Sequence, residues 1–294
     1  MRRRRLHKVL QTLLGPALAF CALSAEAAPQ RVVSLNLCTD QLAVLLLPPE
    51  RIAALSFLAR DPDLSYVAAR ARSLPVVQGS AEEILPLKPD LVLAGTYTTR
   101  ATVALLKARG IPVLALDMPN DFDTIRAQLR QVAAALGEAA RGEALIAEMD
   151  GRLAEAADAA RGSARPTALT FAPGGFTAGG GTLSAAVMEA AGLSNYAAGK
   201  GLQGYGYLPV ESVAEAPPDL LVADTDQEAR PSLAGRLLSH PALDRAVPAG
   251  SRLKMEPGLV TCGGPFTAEA VTRLAEARAR LLTRPQVAAR GQDR

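Results

Sequence analysis

The chain has 294 residues, 49% of them hydrophobic, with 32 basic and 29 acidic side chains, two histidines, three cysteines and no tryptophan. The formal charge of +3 resides in the first 27 residues, which hold five of the basic groups and one of the acidic; without them one negative charge is in excess. That balance leaves no basic stripe for nucleic acid or an anionic membrane surface, and with only His240 beyond that segment it excludes a multi-histidine zinc, manganese or copper site.

In chain order, residues 1–27 read as an address. Arg2 to Arg5 with Lys8 form a basic start, residues 9–23 an apolar core broken by Gly15-Pro16, and Ala25-Glu26-Ala27 a small-x-small cleavage site. The apolar run is too short and too broken for a spanning helix, and Phe20 is too bulky before Cys21 for a lipoprotein site. Cleavage after Ala27 and delivery to the periplasm are expected.

Residues 31–36 (RVVSLN) read as a first buried strand, followed by a helix over 40–47 that Pro48-Pro49 closes. Strands at 52–56 and 75–77 follow. Ser80 and Glu83 form a capping box ahead of Ile84, and a strand at 91–94, a helix at 101–109 stopped by Gly110, and a strand at 112–116 complete a lobe spanning 28–122. Residues 123–162 lack proline and are rich in Ala, Glu, Arg and Leu. They read as a helical linker, its second helix running over 138–160 for about 35 Å. A second lobe over 163–294 repeats the plan: a strand at 167–171, a glycine-rich turn at 173–181 (PGGFTAGGG), a helix at 184–191, a strand at 252–255 and a closing helix at 267–282 before a polar tail. Strands alternating with helices predict an α/β fold with parallel sheets.

An internal repeat ties the lobes together. Residues 82–94 read EEILPLKPDLVLA, and 129 positions later residues 211–223 read ESVAEAPPDLLVA. Glu82 aligns with Glu211, Ile84 with Val213, and the pairs Pro89-Asp90 with Pro218-Asp219. Each copy opens a short helix with a carboxylate, stops it at Pro-Asp and begins a buried strand. One αβ unit used twice implies two similar lobes, each with an acid at the same point.

RVVSLN, SAEEILPLKPDLVLAG, the linker, FTAGGG, LPVESVAEAPPDLLVAD and HPALDRAVPAGSRL, in that order, resemble the periplasmic binding proteins for cobalamin, ferric siderophores and haem that feed ABC importers. The resemblance covers roughly residues 30–283. It implies two Rossmann-like lobes with parallel sheets joined by one long helix. It further implies a metal chelate, cobalamin or a ferric siderophore before haem, held between the lobes, and a dimeric inner-membrane permease as partner, met by Glu82 on one lobe and Glu211 on the other. A periplasmic sensor that does not transport is the alternative.

Ligands of open α/β sheets bind beyond the carboxyl ends of the strands. The candidate contacts are therefore Cys38, Thr39, Asp40, Phe57, Arg60, Tyr97, Thr98 and Arg100 on the first lobe, and Phe176, Tyr205, Tyr207 and Cys262 on the second, with residues 224–226 and 255–265 also at strand ends. Of only eleven aromatic residues, five fall in these loops, as walls for a large, flat, partly apolar ligand would require. Three arrangements of Cys38 and Cys262 are open: a cross-lobe disulfide, two separate thiols, or thiols touching the ligand. Two unbridged thiols are expected, because a bridge would tie shut a cleft that admits a bulky chelate. No catalytic residue, resident metal or cofactor is expected: GxSxG, HExxH and the phosphate loop are all lacking. Carboxylate chemistry by Asp40, Asp61 or Asp224 is the enzyme alternative. His240 is expected in a loop or cap.

Overall fold

The computed structural model describes residues 28–98, 100–224, 238 and 240–283. The leader, the start of the loop after Asp224 and the tail discussed above lie outside them. Five strands, β1 (Val32–Ser34), β2 (Ile52–Ser56), β3 (Val76–Val77), β4 (Leu91–Gly95) and β5 (Val113–Leu116), form one parallel sheet in the order β3-β2-β1-β4-β5. Six more follow: β6 (Thr167–Phe171), β7 (Phe176–Ala178), β8 (Ser194–Asn195), β9 (Tyr205–Tyr207), β10 (Leu220–Asp224) and β11 (Arg252–Met255). Of these, β11-β10-β6-β8 make a second parallel sheet, while β7 and β9 pair antiparallel in a separate ribbon. Two Rossmann-like lobes with parallel sheets, joined by a long helix, make up the α/β fold.

The repeated Pro-Asp does the same work in both lobes. Asp90 stands before β4, and its carboxylate accepts the backbone N–H of Gln30 at 2.6 Å and of Arg31 at 3.0 Å, at the threshold of β1. Asp219 stands before β10 and accepts the Thr167 N–H and hydroxyl, both at 2.8 Å, at the start of β6. Each aspartate ties together the entries of two paired parallel strands, where ladder bonds have run out. In the helix before it, Ile84 and Val213 are both fully buried, and Glu82 and Glu211 are both exposed.

Between the sheets run two helices, Phe122–Leu136 and Ala139–Ala160. The second, 22 residues long, spans about 33 Å. Asp121 caps the first by accepting Thr124 N–H at 2.7 Å, which holds its carboxyl below the usual range. Gly137 turns the chain at φ 74°, and a methyl there would sit 2.6 Å from Ala28 Cβ, so both conformation and space require glycine. Arg51 locks that turn to the first lobe, donating to Pro29 O at 2.8 Å and Leu136 O at 2.6 Å and pairing with Glu138. At the far end, Arg278 on the closing helix Thr267–Thr283 is buried and donates to Ala164 O at 2.9 Å.

Two local expectations are corrected. The first helix is Leu37–Leu46, three residues earlier than its predicted start, because Asn36 is its N-cap. The glycine-rich stretch is not simply a turn, since three of its residues form β7 and pair with β9.

Candidate ligand-binding cleft

β1 and β4 are neighbours at the centre of the first sheet, and the chain leaves them toward opposite edges, so the crevice opens beyond their carboxyl ends. Asn36 occupies that point. Its Oδ1 accepts Cys38 N–H at 2.9 Å, and a Cβ on Gly95 would lie 2.9 Å from its Nδ2. The absent side chain of Gly95 therefore makes room for the cap.

Several predicted contacts in these loops turn inward instead. Thr39 is buried, its hydroxyl donating to Asn36 O at 3.0 Å and standing 2.8 Å from the Ser34 hydroxyl. Asp40 is wholly buried and accepts Ser56 N–H at 3.0 Å and the Ser56 hydroxyl. Burial pushes its carboxyl up to about 7, against the lowering effect of the Ser34 and Ser56 hydroxyls. Arg60 donates to Leu74 O and Ala71 O, which staples the short helix Ala68–Ala71. The Thr98 hydroxyl accepts Gly95 N–H at 2.8 Å and closes the turn after β4. These four side chains shape the loops; the reading as ligand contacts is corrected for Thr39 and Asp40, which are buried, while Arg60 and Thr98 stay exposed and half-buried, respectively, at the loop surface. Facing outward are Phe57 and Tyr97, 47% and 82% exposed, and Arg100 at the first residue of its helix.

On the second lobe the ribbon is the dominant feature. Its register sets Phe176 opposite Tyr207 and Ala178 opposite Tyr205, so the three rings share one face while Thr177 and Gly206 share the other. Phe176 stacks parallel on Tyr205 with centroids 5.8 Å apart and meets Tyr207 edge-on at 5.5 Å. All three remain exposed, Tyr207 at 70%; partial burial still raises the Tyr205 phenol above its ordinary pKa. Glycine makes the ribbon possible. A Cβ on Gly175 would lie 2.3 Å from Leu208 O, and one on Gly179 2.2 Å from Leu202 O.

Beside the ribbon a cavity of about 280 Å³ opens at the carboxyl ends of β6, β10 and β11, between the helices Leu183–Ala190 and Thr267–Thr283. Phe176 and Tyr205 line both ribbon face and cavity.

The two lobes are covalently tied. Cys38 and Cys262 form a disulfide with Cα atoms 5.2 Å apart, which overturns the expectation of two unbridged thiols and of thiols as ligand contacts. The segment after β11 reaches across to the first lobe: Cys262 and Phe266 belong to that lobe's hydrophobic core, Phe266 stacks on Tyr66 at 4.7 Å, and a Cβ on Gly258 would sit 3.1 Å from Tyr66 N. Of this segment, the start faces the cavity, through Pro257, Val260 and Thr261. Tyr66 was not singled out from sequence, although its place among so few aromatics was a usable signal; Met188 and Met255, which line the cavity, carried none. His240 caps the helix Pro241–Ala246, its Nδ1 accepting Ala242 N–H at 3.2 Å. Among the described residues, no group of three or more His, Cys, Asp or Glu is placed to hold a metal ion.

Comparison with known proteins places this architecture. A cobalamin-binding protein of Halobacterium salinarum is 28% identical over 263 residues, covering 87% of this chain and 71% of its own length. The periplasmic heme-binding protein RhuT of Roseiflexus sp. RS-1 superposes with a TM-score of 0.70 at 30% identity, over 84% of this chain and 98% of that one. A periplasmic heme-binding protein of Pseudomonas aeruginosa gives 0.70 at 25% identity, over 87% and 94%. A family model for periplasmic binding proteins matches residues 32–251, and the chain belongs to that family.

Proposed function

We propose that the chain, exported and cleaved after Ala27, is the solute-binding component of an ABC importer and captures a metal chelate, with its organic shell intact, between its lobes. The observation that carries this reading is the face of Phe176, Tyr205 and Tyr207, held together on the ribbon and exposed. Stacked and edge-on rings present a flat apolar wall with polar rims, which suits a macrocycle or a chelate of large organic arms. The cobalamin-binding relative agrees with that choice; ferric siderophores fit the same wall. No catalytic role is assigned.

Haem is the second reading. It is favoured by the exposed phenol of Tyr97, since tyrosine is one of the side chains that ligate haem iron, and by the heme-binding relatives. Titration calorimetry with cyanocobalamin, haemin and several ferric siderophores decides between them. Tight binding of free zinc or manganese with none of these chelates overturns both.

Delivery to the permease is assigned to Glu82 and Glu211, exposed at equivalent points of the two lobes. The double variant Glu82→Lys, Glu211→Lys is expected to lose transport while keeping its affinity for the chelate. Loss of ligand binding would make them pocket or structural residues.

A further inference from the structure

The cavity beside the ribbon does something the ribbon face cannot. At about 280 Å³ it falls below the roughly 300–1,000 Å³ that houses a whole drug-sized ligand. It is far too small for a corrin, a porphyrin or a ferric siderophore, yet it shares Phe176 and Tyr205 with the wall on which such a ligand would lie. A group attached to a chelate on that wall is therefore already at the cavity's edge.

The chemistry of the lining selects the group. The walls are apolar, with Val187, Met188, Val222, Met255 and Leu274 among them. Among the described residues that line it none is charged, and the polar side chains are hydroxyls: Thr170, Thr177, Ser184, Thr261 and Tyr205. A hydroxyl has one proton to give, and much of that capacity is committed. Thr261 donates to Pro257 O at 2.8 Å. Thr170 and Thr177 face each other at 3.5 Å, so one proton of that pair serves their mutual contact. The Thr170 oxygen also accepts Ala178 N–H at 3.3 Å. An anionic group carried in by a bound chelate would lose its hydration and find few donors. A neutral ring or short alkyl group would lose nothing and bury its apolar surface.

We infer that this cavity is a specificity pocket for an uncharged, apolar arm of the ligand, an aromatic bicycle or a short alkyl group, inserted while the chelate lies on the aromatic wall. The pocket admits chelates whose arm ends in such a group and rejects those whose arms end in carboxylates. The inference rests on the chelate reading for the ligand, but not for the pocket itself.

The test separates the two. Indole and indole-3-carboxylate differ by one charged group, and each is titrated into isotope-labelled protein while the backbone amides of Thr177, Ala223 and Thr261 are followed by NMR. Indole is expected to shift these amides saturably and indole-3-carboxylate to leave them in place at the same concentration. Equal or stronger binding of the carboxylate, or silence from both probes, overturns the pocket. Ser184→Asp then puts a charge at a half-buried position of the cavity wall, the second residue of a helix, where water reaches it while the cavity is empty and the helix dipole favours an acid, so melting temperature should hold. Indole binding should vanish, and affinity for whichever chelate binds best should fall about tenfold or more. An unchanged chelate affinity overturns the arm. With cyanocobalamin as probe, dicyanocobinamide, which lacks the nucleotide arm, should bind wild-type protein more weakly and be indifferent to Ser184→Asp. Indole binding without any chelate binding would refute the proposed function and leave the pocket standing.

Discussion

The two lobes start from the same αβ unit and end as different tools. On the first lobe the polar side chains at the strand ends are consumed by their own loops: Asn36 caps a helix, Thr39 binds Ser34, Asp40 holds Ser56, and Thr98 closes the turn after β4. On the second, glycines let a two-stranded ribbon pack closely, and its three rings with the adjoining cavity form the presenting surface. Polar loop residues made the first lobe a firm anchor; backbone freedom made the second a shaped wall. The disulfide and the Tyr66–Phe266 stack then fix one lobe to the other.

Cutting that tie is expected to have the largest effect. The bridge spans 224 residues of sequence, and closing so long a loop stabilises by up to about 5 kcal/mol in the chain-entropy view. Cys38→Ser with Cys262→Ser should lower the melting temperature more than any single change at the ribbon. Small-angle scattering should also show a larger radius of gyration if the lobes separate. Thiol titration of unfolded, unreduced protein cleaved after Ala27 should find no reactive thiol; two per chain would mean that the lobes are held by packing alone.

Asp40 tests the anchor differently. Its folded pKa of about 7 lies well above the ordinary carboxylate value of 3.8. Between those values the folded protein keeps a proton that the unfolded chain has released, so raising the pH favours unfolding. The contribution is fully present below about pH 4, falls as pH rises toward 7, and is flat beyond. Asp40→Asn should remove this part of the wild-type curve, visible as a difference between denaturant midpoints measured at a series of pH values. Parallel curves would show that Asp40 titrates normally and that its burial has little electrostatic effect.

The lobes also differ in how much of them was legible beforehand. The two sheets were, because Pro-Asp followed by an apolar run is a local signal; β6 and β11 occur at their predicted positions. The ribbon was not, because β7 and β9 pair across a gap of more than twenty residues, and a glycine-rich string reads locally as a turn. The cysteines were placed in facing strand-end loops, but whether they bond depends on the distance between lobes, which no local pattern contains. Thr39 and Asp40 were found in the right loops, but both are buried and bond to groups of their own lobe. Residue type marks a polar loop without saying whether the side chain serves a ligand or its own backbone.

If the ribbon is the recognition surface, its rings should each matter moderately. Tyr207→Ala and Tyr205→Ala remove side chains that are 70% and 55% exposed, so folding should change little. Each lost stacking contact, with its buried area, should weaken chelate binding by roughly tenfold. Calorimetry of the single and double variants checks this. Because both rings contact Phe176, the double variant should lose less than the sum of the singles.

Tyr97 sharpens the comparison most, because its expected effect is the smallest. It projects from the turn after β4, 82% exposed, and among the described residues no aromatic ring stacks on it to set its angle. A ring so free gives up more conformational entropy on contact than the braced rings of the ribbon. Tyr97→Ala should therefore weaken chelate binding by only about threefold. A much larger loss with haemin, accompanied by disappearance of a phenolate-to-iron absorption band, would make Tyr97 an axial ligand. The anchoring lobe would then hold the metal itself, the ribbon would serve only as a wall, and haem would displace cobalamin and siderophore as the ligand.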